Sequence, residues 1–226
     1  MRILVLGGNG FIGSHLVEAL GARGHRLRVF DRCANPYGPP HADVDYRFGS
    51  FSDSAAVAEA LHDVDVVYHL VSTSVPSTSN LDAIADIQTN LLTTVQLLQQ
   101  MVRLNVRRIV FLSSGGTVYG NPMCDPVPES HPLHPICSYG VVKVAVEHYL
   151  GMFQHLHGIQ PVVLRPSNPF GPRQGHLGVQ GVIPTFLKRL ADGERIQIWG
   201  DGSVVRNAST SPTWSGSACS LPRPRR

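Results

Sequence analysis

A tyrosine and a lysine, Tyr139 and Lys143, stand four residues apart in a helical pattern that runs from Tyr139 to about Phe153. Residues four apart on a helix share one face, so the lysine ammonium can lie beside the tyrosine ring. The pair alone is a weak signal, because a solvated lysine beside a half-buried tyrosine has the same pattern. The residues upstream of the pair therefore decide whether it indicates a catalytic site.

Short hydroxyl side chains follow an apolar strand upstream of this pair. Ile109–Leu112 is predicted to be a strand, and the residues Ser113-Ser114-Gly115-Gly116 begin the loop after it. In an open α/β sheet, the carboxyl ends of the strands face the ligand crevice. The two serines, Tyr139 and Lys143 are therefore candidates for one catalytic site.

The N-terminal stretch MRILVLGGNGFIG has the pattern of a dinucleotide-binding turn. A buried apolar strand is followed by three glycines, each three residues apart, and then by a helix. The first glycine permits the tight turn, the second lets the backbone approach a pyrophosphate, and the third lets the helix pack on the strand. The helix N-terminus directs its unpaired N–H groups at the phosphates. The candidate residues are Gly7, Gly10, Phe11, Ile12 and Gly13.

An acidic residue ends the second predicted strand and indicates which dinucleotide is bound. Leu27–Phe30 is followed by Asp31, whose carboxylate can accept hydrogen bonds from the ribose hydroxyls. A carboxylate there repels a 2′-phosphate, so the predicted cofactor is NAD rather than NADP. The adjacent Arg32 is either a phosphate contact or a solvated loop residue.

Strand and helix patterns alternate along the first two-thirds of the chain. The further predicted strands are Tyr46–Phe48, Val64–Leu70 and Pro161–Leu164, and the further helices are Ser54–Leu61 and Leu81 to about Leu104. Repeated units of this kind predict an α/β fold with a Rossmann-type, doubly wound parallel sheet. We assign 1–165 to an NAD-binding domain and 166–206 to the start of an incomplete C-terminal substrate-binding domain.

Composition limits the class of protein. The chain has 226 residues, 42% of them hydrophobic, and a net charge of +3, which is too mild to indicate nucleic acid as a partner. No apolar run approaches membrane-spanning length, and the first strand begins at the N-terminus, so we expect neither a membrane partner nor a signal peptide. Four scattered cysteines and 11 histidines form no metal-binding motif. We expect a cytoplasmic protein without a metal.

The motifs, taken in order, resemble one family. GxxGxxG, Asp31, VDVVYHL, Asn90, SSGGTVYG, YGVVK and LRPSNPFGPRQ follow one another between Met1 and about Arg206. This order is similar to that of extended short-chain dehydrogenase/reductases of the NAD-dependent epimerase/dehydratase family, and above all to their UDP-glucose 4-epimerase group. The resemblance implies that bound NAD oxidises the 4-hydroxyl of a UDP- or dTDP-hexose and that the ketone is reduced again from its other face.

The resemblance also implies roles for the catalytic candidates. Tyr139 is expected to be the base, and Lys143 its electrostatic partner that also holds the nicotinamide ribose. The ammonium and the nicotinamide are expected to lower the tyrosine pKa from its usual value of about 10. A common family form, SSSATVYG, has a third serine where this chain has Gly115. We favour Ser114 as the relay hydroxyl, because the following glycines can swing it into place, with Thr117 as the alternative.

The same loop argues against water elimination. Sugar 4,6-dehydratases of the superfamily carry Thr-Asp-Glu there, whereas Gly115 and Gly116 offer no proton-transfer group. Other nucleotide-sugar enzymes, such as a UDP-glucuronate epimerase or decarboxylase, and a catalytically idle NAD-binding protein stay open as alternatives.

The resemblance implies binding roles for further residues. Asn168 resembles a residue that meets the sugar diphosphate, and Arg206 one that pairs with a nucleotide phosphate. Asn90 either braces the loops around the cofactor or is an exposed helix residue. Ser50 stands where the family places an aspartate on the adenine, so that contact is weakened or replaced. The remaining cofactor-lining candidates are Phe51, Leu70, Val71 and Ser72.

The resemblance finally implies a homodimer formed through the helix that bears Tyr139. Its apolar positions are Val141, Val142, Val144, Val146 and Leu150, and the alternative is that they pack only on their own sheet.

The segment 207–226, rich in Ser, Pro and Arg, is interpreted as a disordered tail or as the product of a reading-frame shift near Asn207. After a frame shift, the incomplete substrate domain predicts weak or absent NAD binding and little epimerase activity.

Overall fold

The chain folds around a six-stranded sheet. The computed structural model describes residues 1–175, 181–198, 200–201, 208–210 and 218–219. The strands are β1 (Arg2–Leu6), β2 (Arg26–Asp31), β3 (Val44–Phe48), β4 (Val66–His69), β5 (Arg108–Leu112) and β6 (Gln160–Leu164). Their order in the sheet is β3-β2-β1-β4-β5-β6, and every neighbouring pair is parallel. The predicted parallel sheet is confirmed.

Helices connect the strands and cover both faces of the sheet. They are α1 (Phe11–Gly21), α2 (Ser54–Ala60), α3 (Ala83–Asp86), α4 (Thr93–Arg103), α5 (Ser138–His157) and α6 (Val182–Ala191). One core contains residues of α2, α4 and α5 with Leu4 and Leu6 of β1, and the other contains residues of α1 with Ile3 and Val5. Because both faces of β1 are buried, this strand is an uninterrupted apolar run.

The strand order places a crevice between β1 and β4. The chain builds the sheet outward from β1 to β3 in one direction and from β4 to β6 in the other. At such a switch point the connecting helices leave to opposite faces and open a crevice at the carboxyl ends of the strands, where open α/β sheets bind their ligands. The loops after β1 and β4 therefore border the crevice in which a ligand is expected.

The predicted helix from Leu81 to about Leu104 is present from Ala83 to Arg103, but it contains an irregularity that the sequence pattern did not indicate. The structure has a π-helical segment, Ile87–Leu92, between α3 and α4. Three hydroxyl side chains donate to carbonyls four residues earlier, from Thr89 to Ala85, from Thr93 to Thr89 and from Thr94 to Asn90. Such bonds compete with the regular helical ladder and bend helices. Wide turns of this kind are frequent at functional sites.

A second, two-stranded sheet follows β6. Its strands, β7 (Asn168–Phe170) and β8 (Ala208–Thr210), are parallel. Two further residues of the segment 207–226, Ala218 and Cys219, are buried against the core on the α1 face, where the Tyr68 hydroxyl donates to the Ala218 carbonyl at 3.1 Å. These described residues make defined contacts, whereas composition predicted disorder for the segment. We propose the domain boundary between the two sheets, near Arg165.

The apolar residues proposed for a dimer divide into two groups. Val142, Val146 and Leu150 are buried, and the last two belong to the chain's own core, so a partner cannot reach them. Val141 is 52% exposed. The side of α5 that faces away from the sheet carries further exposed apolar residues: Tyr149, Met152 and Leu156.

Some general properties of the described residues bear on the class of protein. None of the described helices is long and apolar enough to cross a bilayer. The same residues contain no group of three or more His, Cys, Asp or Glu side chains placed to hold a metal ion. The four cysteines, Cys33, Cys124, Cys137 and Cys219, are free thiols.

Candidate active site

The glycine turn has the geometry that its spacing predicts. Gly7 has a positive φ of 82°, which a side chain would strain. A Cβ at Gly13 would lie 2.1 Å from the Gly7 carbonyl oxygen, so only glycine lets α1 approach β1 this closely. Gly10 is the N-cap of α1 and has no side chain to cap it. The first N–H groups of α1, those of Phe11, Ile12 and Gly13, have no partner within the helix and are available to phosphate oxygens.

A cavity of about 370 Å³ opens beside this turn, at the carboxyl ends of β1, β2 and β4. Its volume lies within the range of small-molecule sites, and its position beside the glycine turn is where a dinucleotide is expected. Nine of the predicted cofactor residues line it: Gly7, Gly10, Asp31, Arg32, Ser50, Phe51, Leu70, Val71 and Ser72. The side chains present therefore suit NAD, with glycine backbone at the phosphates and a carboxylate at the ribose.

Asp31 is held in place by the turn itself. Its carboxylate accepts the Asn9 N–H at 2.9 Å and the Arg32 N–H at 2.7 Å. Asn9 also donates its side-chain amide to the Cys33 carbonyl at 2.6 Å, and only 5% of Asn9 is exposed. Sequence reasoning missed Asn9, which ties the phosphate turn to the ribose carboxylate. Arg32 is an exposed loop residue.

Asn90 braces the loop that follows β4. Its side-chain oxygen accepts the Thr73 N–H at 2.9 Å, and its amide donates to the Thr73 hydroxyl and to the Asp86 carboxylate, each at 2.8 Å. The π-helical segment lets this one side chain reach both groups. Ser50, where the family places an adenine-binding aspartate, is exposed and shares a 2.7 Å hydrogen bond with Ser52.

Tyr139 and Lys143 lie side by side, as their spacing predicts. The Lys143 ammonium is 5.4 Å from the centre of the Tyr139 ring and donates to the Leu112 carbonyl at 2.8 Å. Tyr139, Lys143 and Ser72 line one small internal void, and Ser72 also lines the dinucleotide cavity. The pair therefore lies next to that cavity, and Val71 and Ser72 border both spaces.

The expected lowering of the Tyr139 pKa is not found in the chain alone. Burial raises the pKa of Tyr139 to about 12, and the nearby Asp86 adds to this rise while the Ser72 side chain opposes it. Burial also lowers the pKa of Lys143 to about 8, against the opposing effect of Asp86 and Glu147. Burial disfavours the charged form of both groups, which spacing on a helix does not indicate.

The loop after β5 is fixed more tightly than its glycines suggest. The Gly115 N–H donates to the Pro166 carbonyl at 2.7 Å, and a Cβ at Gly115 would lie 2.8 Å from the Arg165 carbonyl oxygen. The predicted swing of Ser114 about a flexible pair is therefore wrong for Gly115, which is held against the chain after β6. Ser114 is half-buried, and the buried Thr117 hydroxyl has no hydrogen-bond partner.

A partly buried ion pair, missed in the sequence, joins this loop to α5. Arg165 and Glu147 form a salt bridge at 2.5 Å, which raises the Arg165 pKa, and Glu147 also accepts from Ser113 at 2.5 Å. Arg165 donates further to the Tyr119 hydroxyl at 3.0 Å. The sequence feature that could have pointed to Glu147 is its spacing, because it stands four residues after Lys143 on the same helix face.

His69 lies beneath the site and predicts a loss of stability in acid. It is fully buried against Phe51 and Phe111, bonded to the Thr94 hydroxyl at 2.9 Å, and burial lowers its pKa to about 3. The unfolded chain binds the proton near pH 6.5, so stability is complete above that pH and falls below it, by about 2 kcal/mol between about pH 7 and pH 5. Urea unfolding at several pH values checks this. His69→Gln should remove that part of the pH dependence, and equal slopes in both proteins would contradict it.

A larger cavity of about 860 Å³ lies on the other side of the loop after β5. Asn168, at the start of β7, lines it together with Gly115, Gly116, Tyr119 and Arg165. Its side-chain oxygen is 4.0 Å from where a Cβ of Gly116 would stand. The predicted substrate residue Asn168 thus lies beside the loop after β5, whereas Arg206 lies outside the described residues.

Comparison with known proteins decides the family. The model of the NAD-dependent epimerase/dehydratase family matches residues 3–208. The chain belongs to this family. Its members are extended short-chain dehydrogenase/reductases, NAD is the cofactor, and the resemblance inferred from the motifs is confirmed.

Individual relatives within the family differ in reaction. A UDP-glucose 4-epimerase from Mycolicibacterium smegmatis is 35% identical over 214 residues, which cover 92% of this chain and 68% of that protein. The crystal structure of UDP-glucose 4-epimerase from Thermotoga maritima with UDP-glucose has a TM-score of 0.88 at 33% identity, covering 95% of this chain and 71% of the other. The dTDP-glucose 4,6-dehydratase DesIV from Streptomyces venezuelae, with NAD bound, has a TM-score of 0.86 at 29% identity, with coverages of 97% and 71%. The shared property is NAD-dependent nucleotide-sugar chemistry.

Proposed function

We propose that the protein is an NAD-dependent nucleotide-sugar 4-epimerase of the UDP-glucose/UDP-galactose type. One observation carries the proposal: Tyr139 and Lys143 lie side by side in a small void that shares Val71 and Ser72 with the dinucleotide cavity, and Gly115 and Gly116 of the loop after β5 hold no carboxylate. Elimination of water needs an acid and a base at that loop. Epimerisation needs one base, proposed to be Tyr139, and a hydride carrier, NAD. Neither requires a carboxylate in this loop.

Tyr139 is the proposed base for the sugar 4-hydroxyl. Bound NAD supplies the acceptor and donor of hydride at sugar C4 and a positive charge at its oxidised ring. With a pKa of about 12, the phenol of the chain alone stays protonated near neutral pH, so a cation beside it is required to favour the phenolate. Lys143, which is buried, supplies one such charge, and its second proposed role is to hold the nicotinamide ribose.

Product analysis tests the reaction. The purified chain, supplied with NAD, is incubated with a panel of UDP- and dTDP-hexoses, and the products are identified by proton NMR. Interconversion of UDP-glucose and UDP-galactose, even at the low rate expected from the sequence, would support the proposal. A dehydrated or decarboxylated product would contradict the proposal, and cofactor fluorescence without any turnover would favour an idle NAD-binding protein.

Ser114 is proposed as the relay hydroxyl, with Thr117 as the alternative. Ser114 directly follows Ser113, whose N–H is fixed to the Leu164 carbonyl at 2.7 Å, and the unpartnered Thr117 hydroxyl leaves the second role open. Ser114→Ala should lower kcat by about 10²-fold or more, the usual contribution of a proton-transfer group, and Thr117→Ala by far less. Steady-state kinetics of the two variants checks this, and the reverse order would assign the relay to Thr117.

Asn168 and Arg206 are proposed to bind the diphosphate of the substrate. Asn168 lines the larger cavity beside the catalytic loop, which supports its part in this proposal. For Arg206 the support is the sequence motif, since a guanidinium can form paired hydrogen bonds with a phosphate.

We also propose a homodimer formed through the exposed side of α5. Val141, Met152 and Leu156 lie on one stripe of the helix and are 52%, 42% and 60% exposed. Leu156→Glu should convert a dimer into a monomer, because a buried unpaired charge disfavours association. Light scattering after size exclusion checks the mass. Leu190→Glu, at an exposed position of α6, is the matched control, and a monomeric unsubstituted chain would contradict the proposal.

A further inference from the structure

Asp86, the last residue of α3, joins three separate parts of the chain around the catalytic pair. Only 3% of this residue is exposed. Its carboxylate accepts hydrogen bonds from Ser74 in the loop after β4 at 2.7 Å, from Asn90 in the π-helical segment at 2.8 Å, and from Ser138 at the start of α5 at 2.7 Å. Ser138 directly precedes Tyr139, so this carboxylate fixes the start of the catalytic helix.

A buried carboxylate is costly unless its charge is compensated. In the described part of the chain Asp86 forms no salt bridge, and its three bonds come from neutral donors. Lys143 is the cation that it influences, since Asp86 opposes the fall of the Lys143 pKa caused by burial. It also lines the same small internal void as Tyr139 and Lys143.

We propose that Asp86 is a positioning residue for the Tyr139–Lys143 pair, fixing the start of α5 through Ser138 and keeping the Lys143 ammonium charged. The inference rests on the proposed acid–base function of Tyr139. Without the ammonium, the phenolate would lose the protein's own positive charge. Asp86 therefore acts on the reaction through Lys143 and Tyr139, without touching the sugar.

The other titratable groups around Lys143 determine in which direction its pKa should move when a negative charge is removed. Glu147 on α5 raises its pKa, His69 on β4 interacts with it and stays neutral above about pH 3, and Tyr139 stays protonated until about pH 12. Near pH 8, Asp86 and Glu147 are thus the charges that hold the proton on Lys143. Removal of either negative charge must move the loss of that proton to lower pH.

The chain has two lysines, Lys143 and Lys188, which makes the test direct. In protein labelled with carbon-13 at the lysine ε position, NMR should show two signals, and Lys188→Arg assigns them. Lys143 should titrate near pH 8 in the unsubstituted chain, and Asp86→Asn should lower its midpoint by about one pH unit. Lys188, exposed and paired with Asp192 on α6, is the internal control and should not move.

Matched variants separate charge from structure. Ser138→Ala removes one hydrogen bond but keeps the carboxylate charge, so the Lys143 midpoint should stay in place. Glu147→Gln removes the other charge and should lower the midpoint. If Asp86→Asn does not fold, Asp86→Ser is measured in the same way. An unchanged midpoint in a folded Asp86 variant would overturn the proposal, as would failure of both variants to fold.

The titration needs neither cofactor nor substrate, so its result is independent of whether the chain turns over any nucleotide sugar. An epimerase assay that fails, with Lys143 responding to Asp86 as expected, would remove the proposed reaction and leave the positioning role in place. An epimerase assay that succeeds, with Lys143 not responding to Asp86, would keep the proposed reaction and remove the positioning role.

Discussion

Replacing Tyr139 by phenylalanine should lower kcat for nucleotide-sugar turnover by about 10²- to 10⁴-fold, the usual contribution of a general acid–base group. The ring volume is kept, so packing against Lys143 is preserved, and only the hydroxyl is lost. NAD affinity, measured by titration calorimetry, should change little, because Gly7 to Gly13 and Asp31 supply the main contacts proposed for it.

Tyr149→Phe is the matched control for this variant. Tyr149 is on the same helix and is 37% exposed, on the side away from the cavity. Its kcat should equal that of the unsubstituted chain. If Tyr139→Phe were as active as Tyr149→Phe, the phenol would not be the base and the proposed chemistry would have to be reassigned.

Gly13→Ala should abolish NAD binding and destabilise the fold. The added Cβ would lie 2.1 Å from the Gly7 carbonyl oxygen and 2.7 Å from the Gly8 Cα, and neither backbone atom can turn away as a side chain would. Helix α1 must then move off β1, at a cost of about 1–3 kcal/mol or more in the free energy of unfolding. The same movement takes the first N–H groups of α1 away from the phosphates.

Gly21→Ala, at the other end of α1, is the control. A Cβ there would meet the nearest atom, Leu27 Cδ1, at 3.7 Å, which is ordinary contact. Alanine in place of a helical glycine should raise stability by about 0.5–1 kcal/mol. Urea unfolding and NAD titration of both variants check the difference. Equal NAD affinity in the two would show that the close approach of α1 does not matter for binding.

The features that were predicted correctly depend on short-range pattern. The glycine turn is specified within seven residues, because each of Gly7, Gly10 and Gly13 has a local steric use. The central strands β1, β4 and β5 are largely apolar runs because both faces of the sheet are buried there. The Tyr139–Lys143 contact follows from helical spacing alone. The alternation of strands and helices predicts a parallel sheet, but β2 and β3 pair in parallel without a helix between them, and the strand order does not follow from these elements alone.

The features that sequence reasoning missed depend on contacts between distant segments. The π-helical segment before α4 is accompanied by hydroxyl bonds to backbone carbonyls and by a bond from the Thr73 N–H to Asn90, 17 positions away in the chain. Asp86 could not be linked to Ser138 without the fold. The pKa of Tyr139 rises because of burial, which a spacing of four residues does not report. Likewise, which side of α5 faces the sheet depends on its rotation, so Val146 and Val141 could not be separated beforehand.

The two glycines of the catalytic loop also differ in what redesign they allow. At Gly115 the carbonyls of Arg165 and Pro166 would lie 2.8 and 2.9 Å from any Cβ, so an acidic side chain cannot be grafted there without moving the chain after β6. At Gly116 the nearest atom to a Cβ, the Asn168 side-chain oxygen, is 4.0 Å away. An attempt to convert this scaffold into an elimination catalyst should therefore begin at position 116, where a new carboxylate would enter the substrate cavity without disturbing the backbone.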